Sequence, residues 1–185
     1  KQHEVSIGER VVVLGGGNTA MDAASESARL GAKNVMLAYR RSKAEKGAYS
    51  FEYDLAKKVG VKGLFNVSPL EILGNENGEV VGVKLIRTAV VDGRLQNIAG
   101  SEFVEACDMV IKATGQSKQT GLLSQIADLQ VDTKGKIIVN ETYQTGNSKY
   151  FAAGDAVNGG AEVVNAVADA KVAAVGIHQF LSKNV

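Results

Sequence analysis

Residues 10–20 read RVVVLGGGNTA, and this stretch decides the fold. The β-branched apolar run at 10–14 is typical of a buried parallel strand, and it ends at three glycines that can form a tight turn. From residue 18 the apolar residues recur at spacings of three and four, which predicts a helix, and Gly31 stands where a C-terminal cap is expected. A second strand is predicted at 34–39. The stretch therefore opens a βαβ unit.

The alternation of helix and strand continues along the first part of the chain. Ser50 is predicted to cap a helix that runs through 51–59, and a third strand is predicted at 62–65. Residues 71–106 change to short strands and turns, which indicates an antiparallel meander, and a buried strand at 108–113 returns to the sheet. The predicted fold class is α/β, a Rossmann-like three-layer nucleotide-binding domain with an antiparallel meander.

Residues 116–185 form a second segment, and we place the domain boundary after residue 115. A hairpin is predicted at 133–135, a strand at 150–153, and a long helix from about Glu162. The apolar residues of this helix repeat at alternating spacings of four and three, which predicts one continuous buried stripe. The stripe consists of Val163, Val167, Ala170, Ala174, Ile177 and Leu181.

The glycine turn fits the pattern G-x-G-x-x-A between a strand and a helix, as dinucleotide binding requires. Gly15 permits the tight turn, Gly17 lets the backbone approach a pyrophosphate, and Ala20 lets helix and strand pack closely. The free N–H groups at the helix start then face the anion. A plain glycine loop without a ligand stays open as the alternative. The residues predicted to bind cofactor here are Gly15, Gly16, Gly17, Asn18 and Thr19.

The end of the second strand indicates which nucleotide is bound. NAD-binding proteins and methyltransferases place an acidic residue there to hold ribose hydroxyls, whereas this chain has Arg40 and Arg41 and no acidic residue before Glu45. Arginine can hold a 2′-phosphate with paired, charge-assisted hydrogen bonds. We therefore predict that Arg40 and Arg41 bind NADP(H). The alternative is that the two arginines and Lys43 form a solvated charged turn.

Composition excludes several classes of function. The net charge is +1, with no basic stripe, so nucleic acid is not an expected partner. Cys107 stands alone beside His3 and His178, so we predict neither a metal site nor a disulfide, and a cytoplasmic location fits best. Charged residues interrupt the apolar run at 163–181, which excludes a membrane span. An enzyme acting directly on a small substrate is disfavoured, because no Tyr-x-x-x-Lys pair stands where short dehydrogenases use one.

Several motifs occur in order along the chain: the glycine turn at 15–20, YRR at 39–41, GSEF at 100–103, DMVIKATGQ at 108–116 and FAAGDA at 151–156. Together they resemble the glutamate synthase small subunit and the related flavin part of dihydropyrimidine dehydrogenase. In that family an NADPH domain is inserted into an FAD domain of related fold. The resemblance implies that residues 1–115 are the NADP(H)-binding Rossmann domain and 116–185 the C-terminal segment of the FAD-binding domain.

The resemblance also implies residues for the flavin. Asp155, in the family's second flavin motif with Gly154, would bond the ribityl or phosphate part of FAD. Backbone N–H groups near Glu162 and Val163 would face the flavin ring or phosphates. Gly115, at the end of the strand at 108–113, is also assigned to cofactor binding.

Two family features have no counterpart here: the first flavin fingerprint and the iron–sulfur cysteines. We therefore expect NADP(H) to bind but FAD to bind poorly if at all. The expected partners are an N-terminal FAD segment of the same chain, with or without iron–sulfur clusters, and a larger catalytic subunit. The fragment alone is expected to be inactive.

The function implied is electron input to an NADPH-dependent flavoprotein oxidoreductase, in which hydride passes from NADPH to FAD and electrons go on to a partner domain or subunit. No catalytic side chain is predicted, because the cofactors carry the chemistry. A non-catalytic NADP(H)-binding or regulatory module that lacks its flavin partner segment stays open as the alternative.

Overall fold

A computed structural model of the 185-residue chain describes residues 5–183. His3, considered above for a metal site, lies outside the described residues. The chain divides into two compact units, Lys1–Gly115 and Gln116–Val185.

The first unit is built on a four-stranded parallel sheet. Its strands are β1 (Arg10–Leu14), β2 (Asn34–Tyr39), β3 (Lys62–Phe65) and, late in the chain, β8 (Met109–Lys112). They lie in the order β3-β2-β1-β8, and every neighbouring pair is parallel. The strands predicted at 10–14, 34–39 and 62–65 are confirmed, and the strand predicted at 108–113 returns to the sheet beside β1 as expected.

Both faces of the sheet are covered. Val11 and Val13 point to one face, where they pack with α1 (Asn18–Arg29) and α2 (Ser50–Lys58). Val12 and Leu14 point to the other face. Because side chains alternate along a strand, a run that is apolar at every position is the sequence of a strand buried on both sides. Each of these four side chains is at most 6% exposed.

The predicted start of α2 was wrong by one residue. Tyr49 occupies the N-cap position with an extended backbone, and Ser50 is the first helical residue. The side-chain oxygen of Ser50 accepts a hydrogen bond from Lys46 Nζ in the preceding loop at 3.3 Å and does not cap the helix.

An antiparallel meander covers the second face of the parallel sheet. It consists of β4 (Val67–Gly74), β5 (Val80–Val91), β6 (Arg94–Asn97) and β7 (Phe103–Ala106). Strand β5 pairs with each of the other three. The Asn75 side chain closes the β4–β5 turn by accepting hydrogen bonds from the N–H groups of Asn77 and Glu79. Helices, parallel sheet and meander make the three layers that the sequence predicts.

The second unit contains little strand structure. Its helices are α3 (Thr120–Leu123), α4 (Asp155–Asn158) and α5 (Val163–Lys183). An antiparallel bridge between Val131 and Ile137 spans the hairpin predicted at 133–135. The strand predicted at 150–153 was wrong, since only the bridge of Phe151 to Gln144 forms. Two backbone hydrogen bonds form this bridge, from Thr145 N–H to Tyr150 O and from Ala152 N–H to Tyr143 O, both at 3.0 Å. The pairing goes no further on one side because the N–H of Tyr150 closes a local turn onto Asn147 O at 3.0 Å.

The buried stripe predicted on α5 was also wrong. Val163 is 78% exposed and Leu181 57% exposed, whereas Ala173 is buried. The packed face is rotated by one residue. It consists of the small or polar residues Ala166, Asp169, Ala173 and Gly176, together with Phe180, whose ring centroid lies 6.0 Å from that of Phe151. A β-carbon on Gly176 would stand 2.2 Å from Thr142 O, so small residues permit a close backbone approach that apolar periodicity does not report.

No helix within residues 5–183 combines the length and apolarity that crossing a bilayer requires.

Candidate functional site

The glycine turn leaves β1 at the carboxyl edge of the parallel sheet and leads into α1. Gly15 has φ +152°, and a β-carbon there would stand 2.3 Å from Ala113 O and 3.0 Å from the β-carbon of Ala20. Its N–H donates to Ala38 O at 3.0 Å. Gly15 therefore admits no larger residue, and the turn is fixed to the strands on both sides of β1.

The next two glycines have opposite surroundings. A β-carbon on Gly16 would stand 2.5 Å from the ring of Tyr39, so Gly16 is packed against protein. Gly17 has no atom within 4 Å of the same position. The first N–H groups of α1, including those of Asn18 and Thr19, have no acceptor inside the helix. Open space beside free donors at a positive helix end is suited to an anion.

Asn18 has a second role that the motif alone does not show. Its Oδ1 accepts a hydrogen bond from the N–H of Tyr49 at 3.1 Å, and Gly16 O accepts one from the N–H of Ala48 at 2.9 Å. These two bonds dock the loop between β2 and α2 onto the glycine turn. The Asn18 side chain therefore has a structural role in holding this loop.

Arg40 and Arg41 follow β2 directly, but their side chains differ. Arg40 is exposed. Arg41 Nη1 lies 3.0 Å from Glu45 Oε1, and Glu45 Oε2 accepts hydrogen bonds from both the N–H and the hydroxyl of Ser42. The Ser42 hydrogen bonds, with the Arg41 guanidinium next in effect, hold the pKa of Glu45 below its usual value. One of the two predicted phosphate-binding arginines thus already has a carboxylate partner.

The backbone of the arginine pair is held by the meander. Thr88 Oγ1 donates to Arg40 O at 2.7 Å, and the N–H of Asn66 donates to Arg41 O at 3.1 Å. The N–H of Thr88 in turn donates to Asn66 O at 2.9 Å. Sequence reasoning missed Thr88 and Asn66, because a threonine in a strand and an asparagine between strands give no signal of contact with a distant loop.

Gly115 follows β8, the strand beside β1, and has φ +89°. Parallel strands end at the same edge, so Gly115 joins the glycine turn and the arginine pair at the carboxyl edge of the sheet. In open α/β sheets ligands bind outside this edge. The structure thus brings all the cofactor residues predicted in the first unit to one edge.

The four flavin residues implied by the resemblance meet in the second unit. They line a cleft of about 430 Å³, within the usual range for small-molecule sites. The lining residues are Ala153, Gly154, Asp155, Ala161, Glu162, Val163, Ala166, Val167 and Ala170. The predicted residues in this list are Gly154, Asp155, Glu162 and Val163.

Asp169 on α5 holds the wall of this cleft. Its carboxylate accepts hydrogen bonds from the hydroxyl of Tyr143 at 2.6 Å, from Nδ2 of Asn158 at 3.1 Å and from the N–H of Gly154 at 3.2 Å. The hydrogen bond to this carboxylate raises the pKa of the Tyr143 hydroxyl. At the start of α5, the N–H of Glu162 donates to Asn165 Oδ1 at 3.2 Å, so this donor is already engaged.

Known proteins with similar sequences are oxidoreductase components. The chain is 41% identical over 184 residues to the glutamate synthase (NADPH) small chain of Escherichia coli (strain K12), covering 94% of this chain and 39% of that one. It is 38% identical over 181 residues to the NADP(+)-dependent formate dehydrogenase subunit beta of Moorella thermoacetica, covering 94% and 25%. The chain therefore spans well under half the length of these relatives. The resemblance inferred from the motifs is confirmed.

Solved structures with a similar fold support the α/β architecture, and a family model matches most of the chain. Thioredoxin reductase of T. acidophilum superposes with a TM-score of 0.77 at 27% identity, over 95% of this chain and 53% of that one. FprA of Mycobacterium tuberculosis in complex with NADPH superposes with a TM-score of 0.63 at 19% identity, with the same coverage, which supports the fold alone. Residues 1–170 match the family described as pyridine nucleotide-disulphide oxidoreductase, and the chain belongs to that family.

Proposed function

We propose that the first unit binds NADP(H) and that the chain is the electron-input portion of an NADPH-dependent flavoprotein oxidoreductase. In this role hydride passes from NADPH to FAD, and electrons pass on to a partner domain or subunit. The NADPH named for the glutamate synthase small chain and the NADP(+) named for the formate dehydrogenase subunit support the choice of nucleotide.

One observation carries the proposal. The open side of Gly17 at the start of α1 and the arginine pair after β2 lie at the ends of adjacent parallel strands, β1 and β2. A pyrophosphate at the helix start places the adenosine half of a dinucleotide toward the neighbouring strand end. Arginine there recognises a 2′-phosphate, which NAD(H) lacks.

The second unit fits a portion of FAD. Gly154 has φ +65°, and a β-carbon there would stand 3.2 Å from that of Ala166, so the turn lies close against α5. We propose that Gly154, Asp155, Glu162 and Val163 contact FAD along this cleft. FAD, when bound, supplies the acceptor for the hydride that NADPH donates. The described residues contribute binding, orientation and exclusion of water.

The nucleotide assignment is tested by calorimetric titration of the 185-residue chain with NADP⁺ and with NAD⁺. One or two charge-assisted hydrogen bonds, together worth about 1.5–3 kcal/mol, predict that NADP⁺ binds roughly 10- to 100-fold more tightly. Arg40→Ala and Arg41→Ala are each expected to reduce this ratio. Lys33→Ala is a matched control, because it removes a cation that is paired with Glu9 at the opposite end of β2.

Equal affinity for the two nucleotides, or a ratio that both arginine variants leave unchanged, would contradict NADP(H) recognition by this loop. Binding of neither nucleotide would contradict a nucleotide site formed by this chain.

A further inference from the structure

We propose that Thr88 is a positioning residue that determines nucleotide specificity, acting through the backbone of the arginine pair. The inference rests on the proposed NADP(H) function and names a residue outside the glycine turn and outside the arginine loop. Thr88 belongs to β5 of the meander and lies 48 residues along the chain from Arg40.

The Thr88 hydroxyl is placed to fix one backbone atom. The residue is only 4% exposed, and its Oγ1 reaches Arg40 O at 2.7 Å, a normal distance for such a bond. Burying a hydroxyl group without a hydrogen-bond partner costs free energy, so the folded chain strongly favours keeping the hydrogen bond from Thr88 to Arg40 O.

A second link fixes the following residue. Asn66, with φ +56°, donates its N–H to Arg41 O and accepts from the N–H of Thr88. The carbonyl of Arg40 is thus bonded to the meander directly, and the carbonyl of Arg41 is bonded to Asn66, which precedes β4 and is itself bonded to Thr88. These hydrogen bonds fix the orientation of the peptide groups that follow Arg40 and Arg41. The meander therefore sets the backbone conformation from which the two arginine side chains extend.

This matters for selectivity because the Arg40 side chain is exposed, whereas Arg41 is already paired with Glu45. Arg40 is exposed, so its guanidinium must be ordered when it meets a phosphate, and a fixed backbone reduces that entropic cost. NAD⁺ has no 2′-phosphate and does not need the arginines. Loss of the Thr88 hydroxyl should therefore weaken NADP⁺ binding selectively.

The test compares Thr88→Val, which keeps the shape and removes the hydroxyl, with Thr88→Ser, which keeps the hydroxyl. Thr145→Val is the matched control, because Thr145 is 7% exposed and its Oγ1 also donates to a backbone carbonyl, that of Asn147, within the second unit. NADP⁺ and NAD⁺ affinities are measured by calorimetry. Backbone amide resonances of Arg41 and Asn66 are recorded without nucleotide.

We expect Thr88→Val to weaken NADP⁺ binding by roughly 3- to 10-fold, the effect of about one hydrogen bond, and to change NAD⁺ binding less than about twofold. Thr88→Ser should restore NADP⁺ binding, and Thr145→Val should leave both affinities unchanged. The Arg41 and Asn66 resonances should shift in Thr88→Val only.

Unchanged NADP⁺ binding in Thr88→Val, an equal loss for both nucleotides, or an equal loss in Thr88→Ser would each overturn the inference. If the unchanged chain itself shows no preference for NADP⁺, the proposed function fails. If that preference is present and survives Thr88→Val, only the role of Thr88 fails.

Discussion

The ring of Tyr39 lies so close to Gly16 that a β-carbon on this glycine would stand 2.5 Å from the ring. The Tyr39 hydroxyl also donates to Glu45 O at 3.0 Å. One side chain therefore links the glycine turn to the loop that carries the arginine pair. Gly16 is therefore needed for packing against Tyr39, whereas Gly17, which has open space beside it, is free to contact a ligand. Substitutions at the two glycines should have different effects.

Gly16→Ala should destabilise the fold, because the added methyl group overlaps the Tyr39 ring. We expect a loss of about 1–3 kcal/mol in the free energy of unfolding, measured by urea denaturation. Gly17→Ala should cost less, about 0.5–1 kcal/mol, because its β-carbon meets no protein atom but alanine is disfavoured at the N-cap of α1. It should instead weaken NADP⁺ binding by at least about tenfold, because the methyl group occupies the approach of the pyrophosphate. Normal nucleotide binding by Gly17→Ala would place the pyrophosphate elsewhere.

Glu45→Gln should strengthen NADP⁺ binding. The Glu45 carboxylate is paired with Arg41 at 3.0 Å and places a negative charge beside the proposed phosphate site. Glutamine keeps a similar shape and removes the charge, so NADP⁺ affinity should rise by roughly 3- to 10-fold while NAD⁺ affinity changes little. Parallel calorimetric titrations measure both. A weaker affinity for NADP⁺ would mean that Glu45 is needed to orient Arg41.

The contribution of Glu45 to stability should depend on pH. Its pKa is lowered in the folded chain, chiefly by hydrogen bonds from Ser42, so the stabilisation is present above the ordinary carboxyl pKa and is lost as the pH falls through the folded value. The Tm difference between the chain and Glu45→Gln, which we expect to be about 1–2 °C near pH 7, should shrink as the pH falls below the ordinary carboxyl pKa and vanish once the pH is below the lowered pKa of Glu45. A difference that persists in acid would assign the effect to packing.

Asp169→Asn should destabilise the second unit, because three donors share the Asp169 carboxylate. An amide replaces one acceptor oxygen with a donor, so at least one of these bonds is lost. We expect the Tm to fall by about 4–8 °C in differential scanning calorimetry. Asp54→Asn is the control, since Asp54 makes only an exposed ion pair with Lys57 and should shift the Tm by less than about 1 °C. Equal shifts in the two variants would contradict the role of Asp169.

Cys107 should resist modification in the folded chain. Its side chain is fully buried, and burial, together with the carboxylates of Asp108 and Glu105, raises the pKa of the thiol. Since the thiolate is the reactive form, a disulfide reagent such as DTNB should react roughly 100-fold or more slowly near pH 8 than it does in denaturant. Fast reaction of the folded chain would indicate an accessible thiol.

The sequence predicts the parallel sheet well because both of its signals are local. An apolar run buried on two faces and a glycine turn before a helix are properties of consecutive residues, so β1 and the start of α1 are placed correctly. The same holds for β2 and β3, whose ends match the predicted ranges.

Contacts between distant residues escape such reasoning. Nothing in the pattern around Thr88 indicates that its hydroxyl meets Arg40 O, and nothing around Gly16 indicates the Tyr39 ring. On α5 the apolar period identifies a face, but the two buried positions of the helix are Ala173 and Gly176, where close backbone contact favours small residues over large apolar ones. The spacing of apolar residues shows that the two faces of the helix differ, but it does not determine which face packs against the rest of the unit.

The turn closed by Asn75 lies at one end of the β4–β5 hairpin, far along β5 from Thr88, the residue that contacts the arginine loop. Thr88 lies eight residues beyond Val80, or roughly 26 Å of extended strand at about 3.3 Å per residue. Asn77, in that turn, is exposed. The tip is therefore a place to attach a fluorophore or an affinity handle, giving a reporter for purification or surface immobilisation that leaves the nucleotide end of the molecule unmodified.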